Sequence, residues 1–541
     1  MTSEVKSFFQ SHSWKEFPDC SAFTKAFLDR DNRLQNCIAA WPDEQQLLEC
    51  SHRRAFHPDA RKLLVDSLSA QYRDSGLTAE MPAGIQSLMH PNTFTICVGH
   101  QLCLLGGPSF IWIKIVQLCR LAQSVNANQS AIQIVPVFWL ASEDHDVAEI
   151  SGITVGGKRF NWSTADAGAT GKIGTDGIEK VITEVVSSFP HLIDSETIQL
   201  IRDAYSCNNL ANAWRRLIHR LAGHLGIVVI DGNDTGFKES FSSVIEKELD
   251  EGFMFNAMQN QLEELTRNGF EIPVNPRECC LFYLIEKYRS RIVRIAEDAF
   301  ETADGLHRWS RSEILTLAGA HPERFSPYVL LRPLYQEYIL PNLMYLAGPS
   351  ELSYWLQLKS CFEVVKINFP LLHLRCGLTL ISRSIKKGLE KWNLTLPELM
   401  QNAEFIRHRM IRSENHFLEH EIKMLDEAWS RIIAHAAEVD VTLKAAAEAE
   451  LQKCRDSIQR IEGKMIKAEK RKNSELALAI GKLQEFVFPG GNYQERVEGV
   501  INFRYAENKS LERIMHQMNP WASEMMVMDV EADFTESHPQ D

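Results

Sequence analysis

In the first half of the chain, short apolar runs alternate with amphipathic segments, and this alternation predicts strands and helices in turn. Residues 94–98 and 132–140 are continuous apolar runs rich in β-branched and aromatic side chains, as in buried strands. Residues 109–122 between them have the apolar spacing of a helix. A further helix at 213–224 precedes a third strand at 225–230. Strands that alternate with helices indicate βαβ units, and hence an α/β fold with a mainly parallel sheet and right-handed crossovers.

The segments around this sheet are less regular. Residues 1–90 have the pattern of helices and loops, with apolar residues at helical spacing in 55–73. The long connection between residues 153 and 225 predicts an insertion. Residues 235–380 mix helices with short strands and are dense in aromatic residues and arginine. This predicts a second lobe that is inserted into the sheet or packed over it.

Two segments beyond residue 385 repeat apolar residues at alternating spacings of four and three. The first segment carries Leu418, Ile422, Leu425, Trp429, Ile432, Ala436 and Val439, and the second carries Leu451, Cys454, Ile458, Ile461, Met465 and Ala468. A polar break at 440–442 separates them. Two heptad-patterned helices joined by a short turn predict an antiparallel coiled-coil hairpin, although two ordinary amphipathic helices fit the same spacing.

The rest of the chain predicts a return to the core. A Pro-Gly-Gly turn follows the hairpin, residues 510–517 predict a short helix and 525–530 a last strand, and the acidic end of the chain predicts a frayed tail. We therefore expect three parts: a sheet core with an N-terminal helical segment and inserted lobes at 1–384, a hairpin at 385–485, and a return to the core with an acidic tail at 486–541.

Composition narrows the class of protein. With 541 residues, 45% of them hydrophobic and 24% charged, the chain is globular and too long for one compact core. Its net charge of −13 argues against a general binder of nucleic acid or anionic membrane. The first residues lack a secretory signal, and the most apolar window, 94–122, is broken by His100, Gln101, Lys114 and Arg120. We expect a cytoplasmic protein.

The cysteines do not suggest a scaffold. The chain has 12 cysteines, but they are scattered and none form a C-x-x-C pair. A disulfide framework or a structural zinc site therefore has no support in the spacing. Several of these cysteines lie in apolar runs, where a free thiol behaves as a small core residue.

Polar residues follow the first predicted strand. His100 and Gln101 stand at its end, and Gly106 and Gly107 precede Pro108 at a predicted helix start. A helix start offers free N–H groups and a positive dipole end to an anion. The segment has neither the P-loop pattern nor the G-x-G-x-x-G pattern of dinucleotide sites. A plain strand-to-helix turn with His100 bonded in the core is the alternative.

The second predicted strand ends in Glu143, Asp144, His145 and Asp146. Three carboxylates and an imidazole cannot all be buried without cost, so some of them face solvent or a ligand. At the carboxyl end of a strand they could serve as a general base, as ligands for an amine, or as ligands for Mg²⁺. A solvated polar loop is the alternative.

Three later segments add candidates. Arg332 is suited to bidentate capture of a carboxylate or phosphate, and Gln336 and Glu337 lie one turn further if a helix starts at Pro333. A structural Arg–Glu pair explains this segment equally well. The Gly-Pro turn in 346–352 could approach a ligand. Gln494, Glu495 and Arg496 follow the hairpin and could contact the core or a ligand.

These segments together resemble one protein family. Gly-His-Gln with Gly-Gly-Pro, Phe-Trp-Leu-Ala-Ser-Glu-Asp-His-Asp, Leu-Arg-Pro-Leu-Tyr-Gln-Glu and the late Gln-Glu-Arg occur in the order seen in the BshC family of bacillithiol biosynthesis. The similarity runs through nearly the whole chain, including the predicted coiled coil. The Glu-Asp-His-Asp segment is its most specific part.

The resemblance implies a Rossmann-like core with connecting-peptide insertions, an antiparallel coiled coil and a homodimer. It implies a ligase that joins the carboxylate of cysteine to the 2-amino group of glucosaminyl-malate. The family core resembles class I nucleotidyl-transferring synthetases, whose H-x-G-H signature follows the first strand. Here that place reads Gly99-His100-Gln101 and lacks the second histidine.

The implied chemistry suggests roles for the candidates. A carboxylate is a poor electrophile, so activation by ATP with Mg²⁺ is expected by analogy. The amine must lose a proton, which Asp144, His145 or Asp146 could accept. The malyl group needs cationic partners, for which Arg332 and Arg375 are candidates. The remaining expectations are that Gln101 and Glu143 bind substrate, that His100, Gly106 and Gly107 stabilise phosphate or developing negative charge, and that Gln494 and Arg496 contact a nucleotide.

Two other interpretations of the sequence remain open at this point. A metal-dependent hydrolase could use His100, Asp144, His145 and Asp146, although no H-x-x-x-H ligand pair is present. A non-catalytic scaffold could recruit a partner through the coiled coil, but it has no need for polar clusters at strand ends.

Overall fold

A five-stranded parallel sheet forms the centre of the computed structural model. The structure describes residues 9–18, 20–190, 195–402, 405–406, 418–472, 474–500 and 510–529. The predicted acidic tail from residue 531 lies outside this range. The strands are β1 (Thr93–His100), β2 (Gln133–Leu140), β3 (Val228–Asp231), β4 (Asn342–Ala347) and β5 (Leu371–Leu374). Their order is β5-β4-β1-β2-β3, and every neighbouring pair is parallel. The predicted fold class, a parallel-sheet α/β core, is confirmed.

The register of the sheet aligns the carboxyl ends of its strands. His100 at the end of β1 pairs with Leu140 at the end of β2, and Leu140 pairs with Asp231 at the end of β3. On the other side, Ala347 of β4 pairs with Leu374 of β5. Residues that follow these strands therefore meet along one edge of the sheet, where an open α/β sheet places its ligand site.

The strands are buried nearly throughout, as the faces of a parallel sheet must be when helices cover both of them. The helix α1 (Phe110–Asn128) crosses from β1 to β2, and its residues are buried along most of its length. This explains why the sequence shows continuous apolar runs here instead of a clean alternation. It also explains why the helix lacks a strongly polar face.

The sequence placed residues 235–380 in a second lobe, and this prediction is partly wrong. β4 and β5 belong to the central sheet, so the chain returns to the core well before residue 380. The lobe itself is an antiparallel sheet whose strands, in spatial order, are Arg308–Ser310, Ala299–Thr302, Tyr288–Ala296, Leu281–Ile285 and Phe325–Pro327.

The structure divides into two compact units, one formed by most residues up to 379 with 494–528, the other chiefly by 380–493. The helices of the first unit, besides α1, are Ala22–Leu28, Glu44–Arg53, Pro58–Asp74, Ala83–Ser87, Val147–Ile150, Ile178–Ser188, Ser195–Tyr205, Leu210–Ala222, Thr235–Ser240, Ser242–Glu251, Phe253–Arg267, Arg311–Ala320, Arg332–Ile339 (α2), Pro349–Trp355 (α3), Lys359–Val364, Gln494–Val497 and Ser510–Gln517. Its remaining strands are Gly152–Val155, paired with Lys158–Asn161, and Phe9–Ser13, which pairs antiparallel with Glu524–Asp529. Strand Gly377–Ile381 leads from the first unit into the second.

The second unit contains the predicted hairpin. Its helices are Arg383–Trp392, Leu396–Leu399, Glu419–Val439, Val441–Lys472 and Ser474–Val487. Helices Glu419–Val439 and Val441–Lys472 run antiparallel, and Arg455 reaches Asp426 at 2.9 Å across them. The turn is shorter than predicted because the Asp440 side chain accepts from the Thr442 N–H at 2.8 Å, which starts the next helix at once.

None of the helices in the described part of the chain is both long enough and apolar enough to cross a membrane.

Candidate active site at the carboxyl edge of the sheet

A cavity of about 400 Å³ opens at the carboxyl ends of the central strands. Eight of the residues singled out from the sequence line it, namely His100, Gln101, Glu143, Asp144, His145, Arg332, Arg375 and Arg496. Gly348 and Glu351 of the predicted Gly-Pro turn line it as well. The wall also contains the aromatic side chains of Phe110, Trp139, Phe282, Tyr328 and Tyr354. Its volume is within the usual range for small-molecule sites.

The strand order separates the charges of this cavity. Glu143 and Asp144 follow β2, whereas Gly348 follows β4 and Arg375 follows β5 on the far side of β1. Five cationic side chains and three carboxylates line the cavity. His100, at the end of β1, lies between the acidic and the cationic ends because β1 lies between β2 and β4.

Asp144 is held as a carboxylate. The Gln101 side-chain amide donates to Asp144 Oδ2 and, at 2.8 Å, to Glu149 Oε2, while the His145 backbone N–H donates to Asp144 Oδ1 at 2.7 Å. Burial alone would raise the pKa of Asp144, but the hydrogen bonds from His145 and Gln101 and the charge of Arg289 outweigh it and hold this pKa below its usual value. Asp144 is therefore a hydrogen-bond acceptor and a poor proton acceptor.

Arg289 reaches the acidic end from the antiparallel sheet. Its guanidinium carbon lies 3.7 Å from the centre of the Phe282 ring, and its Nε donates to Ser326 Oγ at 3.1 Å. Its Nη1 donates to His145 Nδ1 at 3.0 Å. Since that bond needs a lone pair on Nδ1, the neutral His145 ring carries its proton on Nε2 and acts there as a donor.

Glu143 is paired with a buried lysine. The Lys238 ammonium donates to Glu143 Oε1 and, at 2.7 Å, to the Phe325 carbonyl. The Lys238 side chain is 1% exposed and that of Glu143 is 13% exposed. The pair thus anchors one carboxylate oxygen of Glu143 and fixes the side chain at the cavity wall.

His100 is neutral near pH 7. Burial, together with the charge of Lys114, lowers its pKa to about 4. Its Nδ1 lies 3.2 Å from the Gln101 carbonyl, to which it donates, and its ring packs edge-on against Phe110 with centroids 5.0 Å apart. The Nε2 lone pair has no hydrogen-bond partner among the described residues and is available to a ligand.

Two cations at the opposite end are already paired. Lys114 forms an ion pair with Glu351, whose carboxylate also accepts from the Gly348 N–H at 2.7 Å. The Arg375 guanidinium binds the Glu495 carboxylate with both Nη atoms, one of them at 3.1 Å, and the side chains of Arg375 and Glu495 are each 1% exposed. Arg375 was predicted to bind substrate, but its charge is largely neutralised within the protein.

Arg332 differs from these two cations. Its Nη2 donates to the Tyr354 hydroxyl at 2.9 Å and its Nη1 to Gln336 Oε1 at 3.4 Å. Within the described chain it has no ion-pair partner within the usual 4.0 Å separation. The Glu351 carboxylate acts on it electrostatically but forms its ion pair with Lys114, so this half-buried guanidinium is suited to bind an incoming carboxylate.

The Gly-Gly turn does not form the predicted anion site. Gly107 N–H donates to Leu104 O at 3.0 Å, Ser109 N–H donates to Glu498 O at 2.9 Å, and neither glycine lines the cavity. Gly106 and Gly107 have φ of 85° and 65°, so the turn needs glycine for its backbone shape. The start of α1 is thus used by the chain itself.

Four more predicted site residues lie outside the cavity. Asp146 caps the helix Val147–Ile150 by accepting from the Glu149 N–H at 3.0 Å. Gln336 and Glu337 are completely buried behind Arg332, and Gln494 is buried without lining the cavity. None of these four residues lines the cavity, so their predicted contact with a ligand stays a prediction.

Sequence reasoning assigned no site role to Lys114, Arg289, Glu351 and Tyr354, which line the cavity. Lys114 had a visible signal, because it and Arg120 are the two cations within a mainly apolar helix. Glu351 follows the Gly-Pro turn that the sequence did single out. Arg289 lies in a segment rich in arginine and aromatic residues, where nothing in the sequence marks one arginine above the others.

The described residues contain no group of three or more His, Cys, Asp or Glu side chains that could hold a metal ion. The metal-dependent hydrolase therefore finds no ligand set in this part of the chain.

Comparison with known proteins agrees with the architecture. Residues 10–376 match the family described as the N-terminal Rossmann-like domain of bacillithiol biosynthesis BshC, and residues 378–530 match its C-terminal coiled-coil domain. The chain is 35% identical to a protein of Cytophaga hutchinsonii, over 93% of this chain and 96% of that protein. It is 32% identical to one of Flavobacterium psychrophilum, over 94% and 99% of the two chains. Both relatives carry the name "Putative cysteine ligase BshC".

A parallel sheet with a charged cavity at its carboxyl edge, followed by a helical hairpin, defines a Rossmann-like protein with a coiled-coil domain. The chain belongs to the BshC family of bacillithiol biosynthesis. The names of its relatives agree with the predicted enzyme class, a ligase that forms a C–N bond.

Proposed function

We propose that this protein joins the carboxylate of cysteine to the 2-amino group of glucosaminyl-malate. The observation that carries the proposal is the separation of charge in the cavity, with Glu143 and Asp144 beside β2 and the cationic end beside β4 and β5. Glucosaminyl-malate has the matching distribution, an amine on the sugar and two carboxylates on the malyl group. The family membership and the names of the relatives point to the same reaction.

At the cationic end, Arg332 binds the malyl carboxylates. Its hydrogen-bond partners Gln336 and Tyr354 are neutral and the nearby Glu351 carboxylate is paired with Lys114, whereas Arg375 and Lys114 each form an ion pair. Arg496, which also lines the cavity and lies near Phe110, adds positive charge at this end. Arg375 then acts mainly by holding the wall of the cavity in place.

At the acidic end, Glu143 and Asp144 orient the amino group. The nitrogen must lose a proton as it attacks the cysteine carbonyl carbon, since a protonated amine has no lone pair. Both Asp144 oxygens already accept hydrogen bonds, Oδ2 from Gln101 and Oδ1 from the His145 N–H, and His145 Nδ1 already accepts from Arg289. Asp146 caps a helix instead.

We therefore assign the proton acceptor to His100, which the sequence reading had placed on the side of phosphate or developing charge. Its Nε2 has a free lone pair, and it is unprotonated near pH 7. In the step, the amine nitrogen bonds to the carbonyl carbon of activated cysteine, the activating group leaves, and the amine proton passes to His100 Nε2. The new bond is an amide.

The activation of cysteine needs a co-substrate, and ATP with Mg²⁺ is the one that the family resemblance suggests. This cavity fits them poorly. Gly106 and Gly107 do not line the cavity, the Gly107 N–H donates to Leu104, and the second histidine of H-x-G-H is absent. We derive no step from a nucleotide in this cavity.

We further propose a homodimer located in the cytoplasm. Within the single chain, the hairpin leaves apolar side chains exposed, including Met424 at 57%, Ile432 at 48% and Ile461 at 54%. An exposed apolar face on a helical hairpin is typical of an interaction surface. Sedimentation of wild type and an Ile432→Glu/Ile461→Glu variant tests this: the variant should be a monomer, and an unchanged mass would contradict the role of this face.

Complementation tests the reaction itself. A host that makes glucosaminyl-malate but lacks the cysteine-adding step should regain bacillithiol when it expresses this protein. The Arg332→Met variant, expressed at the same level, should restore far less. If the wild-type protein is folded in this host but glucosaminyl-malate still accumulates and no bacillithiol forms, the proposal is contradicted.

A further inference from the structure

Gln336 and Glu337 lie in the second turn of α2, directly behind Arg332 at its start. Both are 0% exposed, so they touch neither solvent nor a ligand in the cavity. Gln336 Oε1 accepts from Arg332 Nη1 at 3.4 Å, and Gln336 Nε2 donates to Glu337 Oε1 at 3.0 Å. Hydrogen bonds therefore link the three side chains in series, and Arg332 is the member of the series that lines the cavity.

This series of hydrogen bonds has a direction, because Glu337 Oε1 accepts from the Gln336 amide and an amide NH₂ group can only donate. Glu337 therefore requires that Gln336 turn its NH₂ group inward, which leaves the Gln336 carbonyl oxygen facing Arg332. The same Glu337 oxygen accepts from Asn342 Nδ2 at 2.8 Å, while Asn342 Oδ1 accepts from the Thr95 hydroxyl at 3.1 Å. One buried carboxylate thus sets the orientation of two amides.

The buried Arg54 in turn contacts the backbone of Glu337. The Arg54 guanidinium donates to the Glu337 carbonyl and, at 2.7 Å, to the Leu340 carbonyl, where it satisfies carbonyls at the end of α2. Burial raises the pKa of Glu337 to about 7, and the positive charge of Arg54 partly opposes that rise. The carboxylate and the end of the helix are therefore fixed by the same residue.

We infer that Gln336 and Glu337 are positioning residues that hold the Arg332 guanidinium in the orientation that binds the substrate carboxylates. The inference deepens the proposed function and rests on it. The hydroxyls of Tyr354 and Tyr345 also interact with the guanidinium, but Gln336 Oε1 is the acceptor for Nη1, so its loss leaves that end of the guanidinium less firmly oriented. A bidentate contact with a carboxylate requires both Nη atoms, or Nη and Nε, in a fixed plane.

The test compares Gln336→Met, Glu337→Leu and Glu337→Gln with wild type. Gln336→Met removes the acceptor for Arg332 at nearly constant volume. Glu337→Leu removes the acceptor that orients Gln336, whereas Glu337→Gln keeps a side-chain oxygen that can occupy the Oε1 place. Gln357→Met is the matched control, because Gln357 is also 0% exposed and its amide bonds only to the Ser353 carbonyl.

We expect Gln336→Met and Glu337→Leu to raise the KM and the calorimetric Kd for glucosaminyl-malate about tenfold, the scale of one lost hydrogen bond to a charged group. The KM for cysteine should not change, and Glu337→Gln should recover most of the loss. Gln357→Met should match wild type in both KM values. If Glu337→Leu does not fold, Gln336→Met and Glu337→Gln still give the comparison.

Two failures can be told apart. Wild-type protein that folds but binds no glucosaminyl-malate overturns the proposed function, and with it this inference. Wild-type protein that binds, with a Gln336→Met variant that binds equally well, overturns the positioning role alone. An equal rise in the KM for cysteine and for glucosaminyl-malate would also overturn it, since a general loss of structure has no preference between substrates.

Discussion

Removing the Lys238 ammonium should destabilise the first unit, because it leaves the Glu143 carboxylate without its ion-pair partner. The size of this loss is a quantitative test of how the acidic end of the cavity is held together. In Lys238→Met the aliphatic stem is kept but the charge is lost. Glu143, 13% exposed, then loses its Oε1 partner while it remains at the cavity wall. Loss of one member of a buried ion pair costs about 3–5 kcal/mol.

The structure places the expected value at the lower end of that range. Arg289 lies close enough to exert a favourable charge on Glu143, and part of the carboxylate still contacts solvent. We therefore expect a loss of about 3 kcal/mol in the free energy of unfolding for Lys238→Met. Glu143→Gln/Lys238→Met removes both charges, so it should return to within about 1 kcal/mol of wild type.

The assay is urea unfolding of the four proteins of this double-mutant cycle, read from the transition of the first unit by tryptophan fluorescence. Lys62→Met is a useful control, because Lys62 pairs with Asp66 on the surface and its side chain is 70% exposed. Its loss should leave the urea midpoint close to that of wild type. A double variant as unstable as Lys238→Met alone would refute the claim that Lys238 acts through Glu143.

Three further predictions follow from the site. His100→Asn should lower kcat about 10²- to 10⁴-fold with little change in the Kd for glucosaminyl-malate, and a loss confined to binding would contradict its role as proton acceptor. In wild type, kcat/KM should fall on the acid side near pH 4 and not near the ordinary histidine value, because a base with a lowered pKa stays unprotonated until the pH reaches that value. A fall close to pH 6.5 would contradict the assignment. Gly107→Ala should lose more than about 1 kcal/mol of stability, since φ is 65° and an added Cβ would lie 2.6 Å from Cys103 Cβ. Gly305→Ala, where φ is 73° and the space around an added Cβ is open, should lose less. Equal losses in the two variants would contradict the packing argument.

The central strands could be predicted because their physical cause is local. A parallel strand covered on both faces must be apolar along its length, and 94–98 and 132–140 satisfy this condition without reference to the rest of the chain. β4 and β5 were not separated from the neighbouring lobe. They lie in the same part of the sequence as the short strands of the antiparallel sheet, and the local pattern does not assign a short strand there to one sheet or the other.

The candidate site could be located from the sequence, but its bonding could not. Strand ends at His100 and Glu143 marked the edge of the sheet correctly. The partners Lys238, Arg289 and Glu495 come from distant segments, and each changes the chemistry of the residue it meets. Their pairing depends on tertiary packing that no local pattern encodes, and for that reason we propose His100, and not a member of the Glu143–Asp146 cluster, as the proton acceptor.

Reconstitution with purified protein tests the central claim most directly. Wild-type protein is incubated with cysteine, glucosaminyl-malate and ATP with Mg²⁺, and the thiol product and released AMP or ADP are quantified by mass spectrometry. We predict bacillithiol that requires both substrates, with a greatly reduced yield for His100→Asn and an unimpaired yield for Gln357→Met. Binding of both substrates without any amide product, whether or not ATP is supplied, would contradict the assignment of this cavity as a ligase site.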